Sequence, residues 1–111
     1  MSAVSLSALL ADCQGLDIYE QRENSKEYME IVVFSADLPK WQRIFEGRLG
    51  PADKPLGVEP SNEQVRLTEK FGGIRKHQVL FKGNDGACYV LVMFWPWEDK
   101  EHVTLKMALC Q

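Results

Sequence analysis

The sequence predicts an α+β domain. It has about five mainly antiparallel strands, a C-terminal three-stranded meander plus an N-terminal hairpin, with two or three helices on one face. Three observations predict this. Residues 72–110 hold three apolar runs split by two polar turns. Tyr28–Phe34 is a β-branched and aromatic run that follows a shorter alternating segment across a polar turn. Between these regions lie two stretches whose apolar residues recur at helical spacing, each bounded by a capping residue and a glycine.

In residues 3–13, Leu6, Leu9, Leu10 and Cys13 fall at i, i+3, i+4 and i+7, one face of a short helix. Ser2 or Ser5 caps it and Gly15 ends it, and it lies on the sheet or on a partner subunit. Residues 16–21 alternate, with Leu16, Ile18 and Glu20 against Asp17, Tyr19 and Gln21. A charged turn around Asn24 and Ser25 leads into Tyr28–Phe34. The near-continuous apolar character of that second strand implies burial on both faces and a place inside the sheet.

Asp37, Leu38 and Pro39 form a helix start. Asp37 accepts backbone N–H bonds as the cap, and Pro39 fits the first turn because its missing donor would be orphaned there anyway. Leu38, Trp41, Ile44, Phe45 and Leu49 continue at helical spacing until Gly50 and Pro51 stop the helix. Residues 50–60 carry three prolines and two glycines and read as a surface loop pinned by Leu56 and Val58. Ser61 and Gln64 make a capping box for a helix to about Phe71, with Val65, Thr68 and Phe71 at one spacing and Leu67 beside them. Gly72 and Gly73 close it.

The meander starts with residues 75–82, where His77, Val79 and Phe81 share a face. Asp85 and Gly86 signal a hairpin turn. Residues 87–95 are apolar on both faces and central, and Pro96 removes a ladder donor and stops the strand. After a charged turn at 98–101 the last strand alternates. Val103, Leu105, Met107 and Leu109 face in, and His102, Thr104, Lys106 and Ala108 face water. In such a hairpin the start of the first strand lies beside the end of the second. Arg75 and Lys76 are therefore expected at the same edge of the sheet as Trp95 and Trp97.

At 111 residues the chain is expected to be one domain, 1–111. Its composition, 45% hydrophobic and 26% charged, is that of a soluble globular domain. A net charge of −3 and a pI near 5.4 argue against nucleic acid and anionic membranes as partners, because both need a basic face. No apolar run is long enough to span a membrane, and residues 1–13 lack the basic start of a signal peptide. The three cysteines, Cys13, Cys88 and Cys110, are too few and too widely spaced for a disulfide framework. Cys88 and Cys110 read as small buried apolar groups, and a reducing cytoplasm fits the set best.

No coherent catalytic set appears. His77 and His102 fall in separate strands without a metal motif, so neither a metal nor a cofactor is expected. Gly72 and Gly73 followed by Arg75 and Lys76 resemble an anion site, but they end a helix, where the dipole disfavours anions. Glu98, Asp99, Lys100 and Glu101 read as a solvated turn. Trp95, Pro96 and Trp97 cannot all point inward, because successive strand residues face opposite sides, so a tryptophan stands at a rim.

The expected function is thus a non-catalytic ligand- or protein-binding module. Its partner is a second copy in a homodimer, another protein, or a small anionic or aromatic ligand. The expected site is Gly72, Gly73, Arg75, Lys76, Trp95 and Trp97, and Trp95→Ala or Trp97→Ala is expected to weaken binding more than stability. The competing reading is a small α+β enzyme with a pocket near Arg75, His77 and Cys88.

Overall fold

The computed structural model describes Ala11 and residues 15–25, 27–85 and 88–110, and of Asn24, Asn84, Asp85, Cys88 and Cys110 only the backbone. Apart from Ala11, the helix expected over residues 3–13 lies outside the described residues, as does Gly86 of the hairpin turn.

The strands are β1 (Ile18–Asn24), β2 (Tyr28–Phe34), β3 (Val79–Asp85), β4 (Cys88–Pro96) and β5 (His102–Cys110). They form one antiparallel sheet in the order β1-β2-β5-β4-β3. Two α-helices accompany it, α1 (Leu38–Leu49) and α2 (Asn62–Thr68), with 3-10 turns at Ser35–Asp37 and Glu69–Phe71. The α+β class and both strand groups are those expected. What local spacing left open is how the groups join: β5 sits in the middle, paired with β2 on one side and β4 on the other. Among the described residues no helix is long and apolar enough to cross a membrane.

Strand alternation sorts the side chains onto two faces. On the first face, Met29, Ile31 and Val33 of β2 pack with Val103, Leu105 and Met107 of β5, Val90, Val92 and Phe94 of β4, and Val79 and Phe81 of β3. Helix α1 covers this face with fully buried Trp41 and Phe45, flanked by Leu38, Ile44 and Leu49. The Phe45 ring lies 6.1 Å from Phe81 and 5.8 Å from Phe94, in the tilted arrangements that aromatic quadrupoles favour. Asp37 differs from expectation. It occupies the cap position, yet its side chain makes no cap bond. The preceding 3-10 turn leaves its backbone at φ −93° and ψ 0°, whereas a capping side chain needs an extended backbone. Ser61, at φ −74° and ψ 163°, does form the expected reciprocal box with Gln64.

On the second face, Leu80, Leu91, Met93 and Ile74 are buried together, with Phe71, Tyr89 and Trp95 packed against them. Phe71 and Ile74 come from the segment after α2, so the helical segments divide between the two faces of the sheet. This coverage corrects the wet outer face expected for β5: Thr104 and Ala108 are buried, and His102 and Lys106 are half-buried.

The 50–60 loop is pinned differently from expectation. Leu56 and Val58 are exposed, whereas Lys54 is buried. Its backbone bridges Leu80 of β3. Its ammonium donates to the carbonyls of Pro55 at 2.9 Å, Lys76 at 2.7 Å and Gln78. All three of its donors are thereby used, which lets the cation be buried. A lysine in a proline-rich stretch reads as solvent-facing because spacing does not reveal such acceptors.

Candidate functional site

Val79 of β3 pairs with Phe94 of β4, which brings the start of one strand beside the end of the other. Gly72 duly lies against Trp95. Its backbone is left-handed, at φ 107°, and a Cβ there would overlap Trp95 Cη2. Arg75, Lys76 and His77 take no part in this contact. They are exposed in a turn closed by the Gln78 N–H to Arg75 O (3.1 Å) and the Arg75 N–H to Gln78 Oε1 (2.8 Å). His77 therefore precedes β3 instead of sharing a strand face with Val79 and Phe81.

Cys88 starts β4 opposite Asp85, at the far end of the same hairpin. At about 3.3 Å per residue it lies roughly 20 Å along the strand from Phe94. Arg75, His77 and Cys88 are therefore not assembled into one pocket. The two histidines are apart as well, since His102 pairs with Phe34 in β5 and β4 separates β5 from β3.

Trp95 and Trp97, two residues apart, share the second face. Trp97 is fixed there by the fold: its Nε1 donates to Thr104 Oγ1 at 2.7 Å, and the Arg22 guanidinium lies 5.3 Å over its ring. The His102 ring is 5.1 Å away and also lies 4.3 Å from Tyr19 and 5.6 Å from Phe34. His102 Nδ1 stands 2.6 Å from Asp99 Oδ2, and Asp99 Oδ1 accepts the backbone N–H groups of Glu101 and His102. The His102 bond, aided by those N–H groups, holds the Asp99 carboxyl below the usual carboxylate range. Asp99, Glu101 and His102 bring potential metal ligands within 4.8 Å of one another. Both Asp99 oxygens are nevertheless already engaged, and the two acids are exposed.

Lys106 was missed in the sequence. It stands between Glu30 of β2 and Met93 of β4, diagonal to Trp95, whose direct partner is Thr104. Diagonal neighbours on one sheet face are within reach of long side chains. The Lys106 ammonium lies 3.7 Å from the Trp95 ring centroid and donates to the Phe71 carbonyl at 2.9 Å. Among the described residues no carboxylate comes within 4.0 Å of it. Glu30 is occupied elsewhere: its Oε1 accepts from the Tyr28 hydroxyl at 2.6 Å, and its Oε2 is 3.8 Å from Arg22. Burial draws the Lys106 pKa down, against the pull of Glu30. Burial, reinforced by Glu30, pushes the Tyr28 hydroxyl well above the usual tyrosine range.

The Tyr28 ring stacks on Phe71 with centroids 5.5 Å apart and planes 4° from parallel. Two hollows open around this pair. The larger, about 720 Å³, reaches toward Glu27, Glu63, Arg66 and Tyr89. The smaller, about 530 Å³, reaches toward Gly72 and Lys106. Tyr28, Lys70 and Phe71 line both, so they form the ridge between them. The signal for Lys106 was present as a lysine in the final strand, but it carries meaning only once that strand is placed in the middle of the sheet.

Comparison with protein-family models, with curated proteins and with solved structures gives no match.

Proposed function

We propose that this domain is a non-catalytic binding module whose ligand or partner lies in the cleft on the second face, across the ridge of Tyr28 and Phe71. The observation that carries this reading is the meeting of two hollows at a stacked aromatic pair, beside the half-buried ammonium of Lys106. A concave site of several hundred Å³ with an aromatic wall and convergent polar groups is an ordinary form of ligand site. Of the residues the sequence pointed to, Gly72 and Trp95 belong to this site as the support beneath Lys106. Gly73, Arg75, Lys76 and Trp97 stand outside it.

Association through a sheet edge is disfavoured. The register of β1 against β2 is broken twice, and β1 carries Glu20, Arg22 and Glu23, features that protect an edge from pairing with another copy. The other edge, β3, is bridged at Leu80 by Lys54, so a homodimer or protein partner is expected on the face. The acidic charge balance disfavours nucleic acid, and the cysteine spacing favours a reducing, cytoplasmic setting.

Amide NMR spectra of the protein titrated with a set of small aromatic fragments test the reading. Saturable shifts gathered at Tyr28, Phe71, Gly72 and Lys106 are expected. Shifts gathered at residues 75–77, or none that saturate, would contradict it.

A further inference from the structure

The two hollows differ in charge. The larger is lined by the carboxylates of Glu27 and Glu63 as well as by Arg66 and Lys70. The smaller is lined by two ammonium groups, Lys70 and Lys106, and, among the described residues, by no carboxylate. Lys106 spends one of its three donors on the Phe71 carbonyl and rests on the Trp95 face. Lys70 makes no hydrogen bond or ion pair among the described residues. Glu30, the carboxylate in register with Lys106, is held by Tyr28 and Arg22. An ammonium partly withdrawn from water and, among the described residues, with no carboxylate within 4.0 Å gains more from an arriving anion than a fully solvated lysine does. The adjacent wall is flat and aromatic.

Resting on the cleft reading above, we propose that the smaller hollow is an anion subsite that takes the carboxylate of a small aromatic acid, the ring of which packs against Tyr28 and Phe71. The larger hollow sets two carboxylates against two cations, whereas the smaller presents cations alone, and this difference sets the direction of binding. Glu27 and Glu63 repel a carboxylate placed there, so the acid group goes to Lys70 and Lys106.

Calorimetric titration with 1-naphthoate and with its neutral isostere 1-naphthamide tests this, with acetate as an anion lacking a ring. Naphthoate is expected to bind about tenfold more tightly than naphthamide, the ratio that one charge-assisted hydrogen bond supplies. Acetate is expected to bind more weakly than naphthoate. Lys106→Gln abolishes the preference for the acid over the amide, and Lys106→Arg keeps it. Lys70 is exposed, so Lys70→Gln leaves the fold intact and reduces the preference on its own. Equal binding of acid and amide, or a preference that survives both glutamine substitutions, overturns the proposal. Equal binding with shifts in the cleft removes the anion subsite and leaves the binding-module reading standing. No saturable binding of either compound removes both.

Discussion

The ammonium of Lys106 lies 3.7 Å from the centroid of the Trp95 ring while donating to the carbonyl of Phe71. One side chain of β5 thus ties together the end of β4 and the segment that follows α2. It does so at the point where the second face of the sheet stops being covered and becomes a cleft. The first consequences concern how that corner is held.

Gly72→Ala is expected to destabilise the protein by about 2 kcal/mol, since the new Cβ meets Trp95 and the residue sits at a left-handed φ that costs non-glycine residues about 1 kcal/mol or more. Urea unfolding measures it. The same variant should lose the ring-current shift of the Lys106 side-chain protons over Trp95. An unchanged midpoint with an unchanged shift would show that Gly72 does not set this corner.

Lys54→Met is expected to cost about 2 kcal/mol, because the buried Gln78 carbonyl and the half-buried carbonyls of Pro55 and Lys76 lose their donor. Leu56→Ala and Val58→Ala, at exposed positions, should stay within about 0.5 kcal/mol of the parent. Amide exchange at Gly57, whose N–H is bonded to Lys76 O at 2.9 Å, should quicken in Lys54→Met. Slow exchange there would mean the loop is held by something other than the lysine.

Asp99 gives the acid side of the stability profile a sign. Its folded pKa is depressed from 3.8, chiefly by the His102 bond. Its contribution is therefore fully present above pH 3.8 and is lost as the pH falls through the lower folded value. Asp99→Asn should flatten that part of the profile, read from thermal midpoints in a series of acidic buffers. A variant with the parent's slope would remove Asp99 from the account.

Trp97 is expected to behave as a structural residue. Trp97→Ala should cost about 2 kcal/mol through lost packing of a half-buried ring, and Thr104→Val about 1 kcal/mol by removing the indole's acceptor. Naphthoate affinity should fall less in Trp97→Ala than in Phe71→Ala. The reverse order would return the binding site to the Trp97 rim.

Where the residues were legible, the reason is local. Trp41 and Phe45 announce the buried side of α1 by spacing alone, and Ser61 with Gln64 announces the start of α2. The alternation in Val103, Leu105 and Met107 marks the inner side of β5. Strand order is not local, since nothing in residues 102–110 says that β2 will pair with them. Without that pairing Thr104 and Lys106 read as solvent-facing, and the cleft cannot be seen. The same holds for Lys54, whose acceptors at residues 76 and 78 are brought to it only by the fold. The sequence pointed to Gly72 and Trp95 and, for cations, to Arg75 and Lys76; the fold sets Lys106 against Trp95 and leaves Arg75 and Lys76 in an exposed turn.

The most direct measurement is of intermolecular proton–proton NOEs between bound 1-naphthoate and the protein. The account predicts contacts from the naphthalene ring to the Tyr28 and Phe71 rings and from the proton nearest the carboxylate to the Lys106 side chain. Contacts confined to Tyr19, Trp97 and His102, or to the turn at residues 75–77, would contradict it.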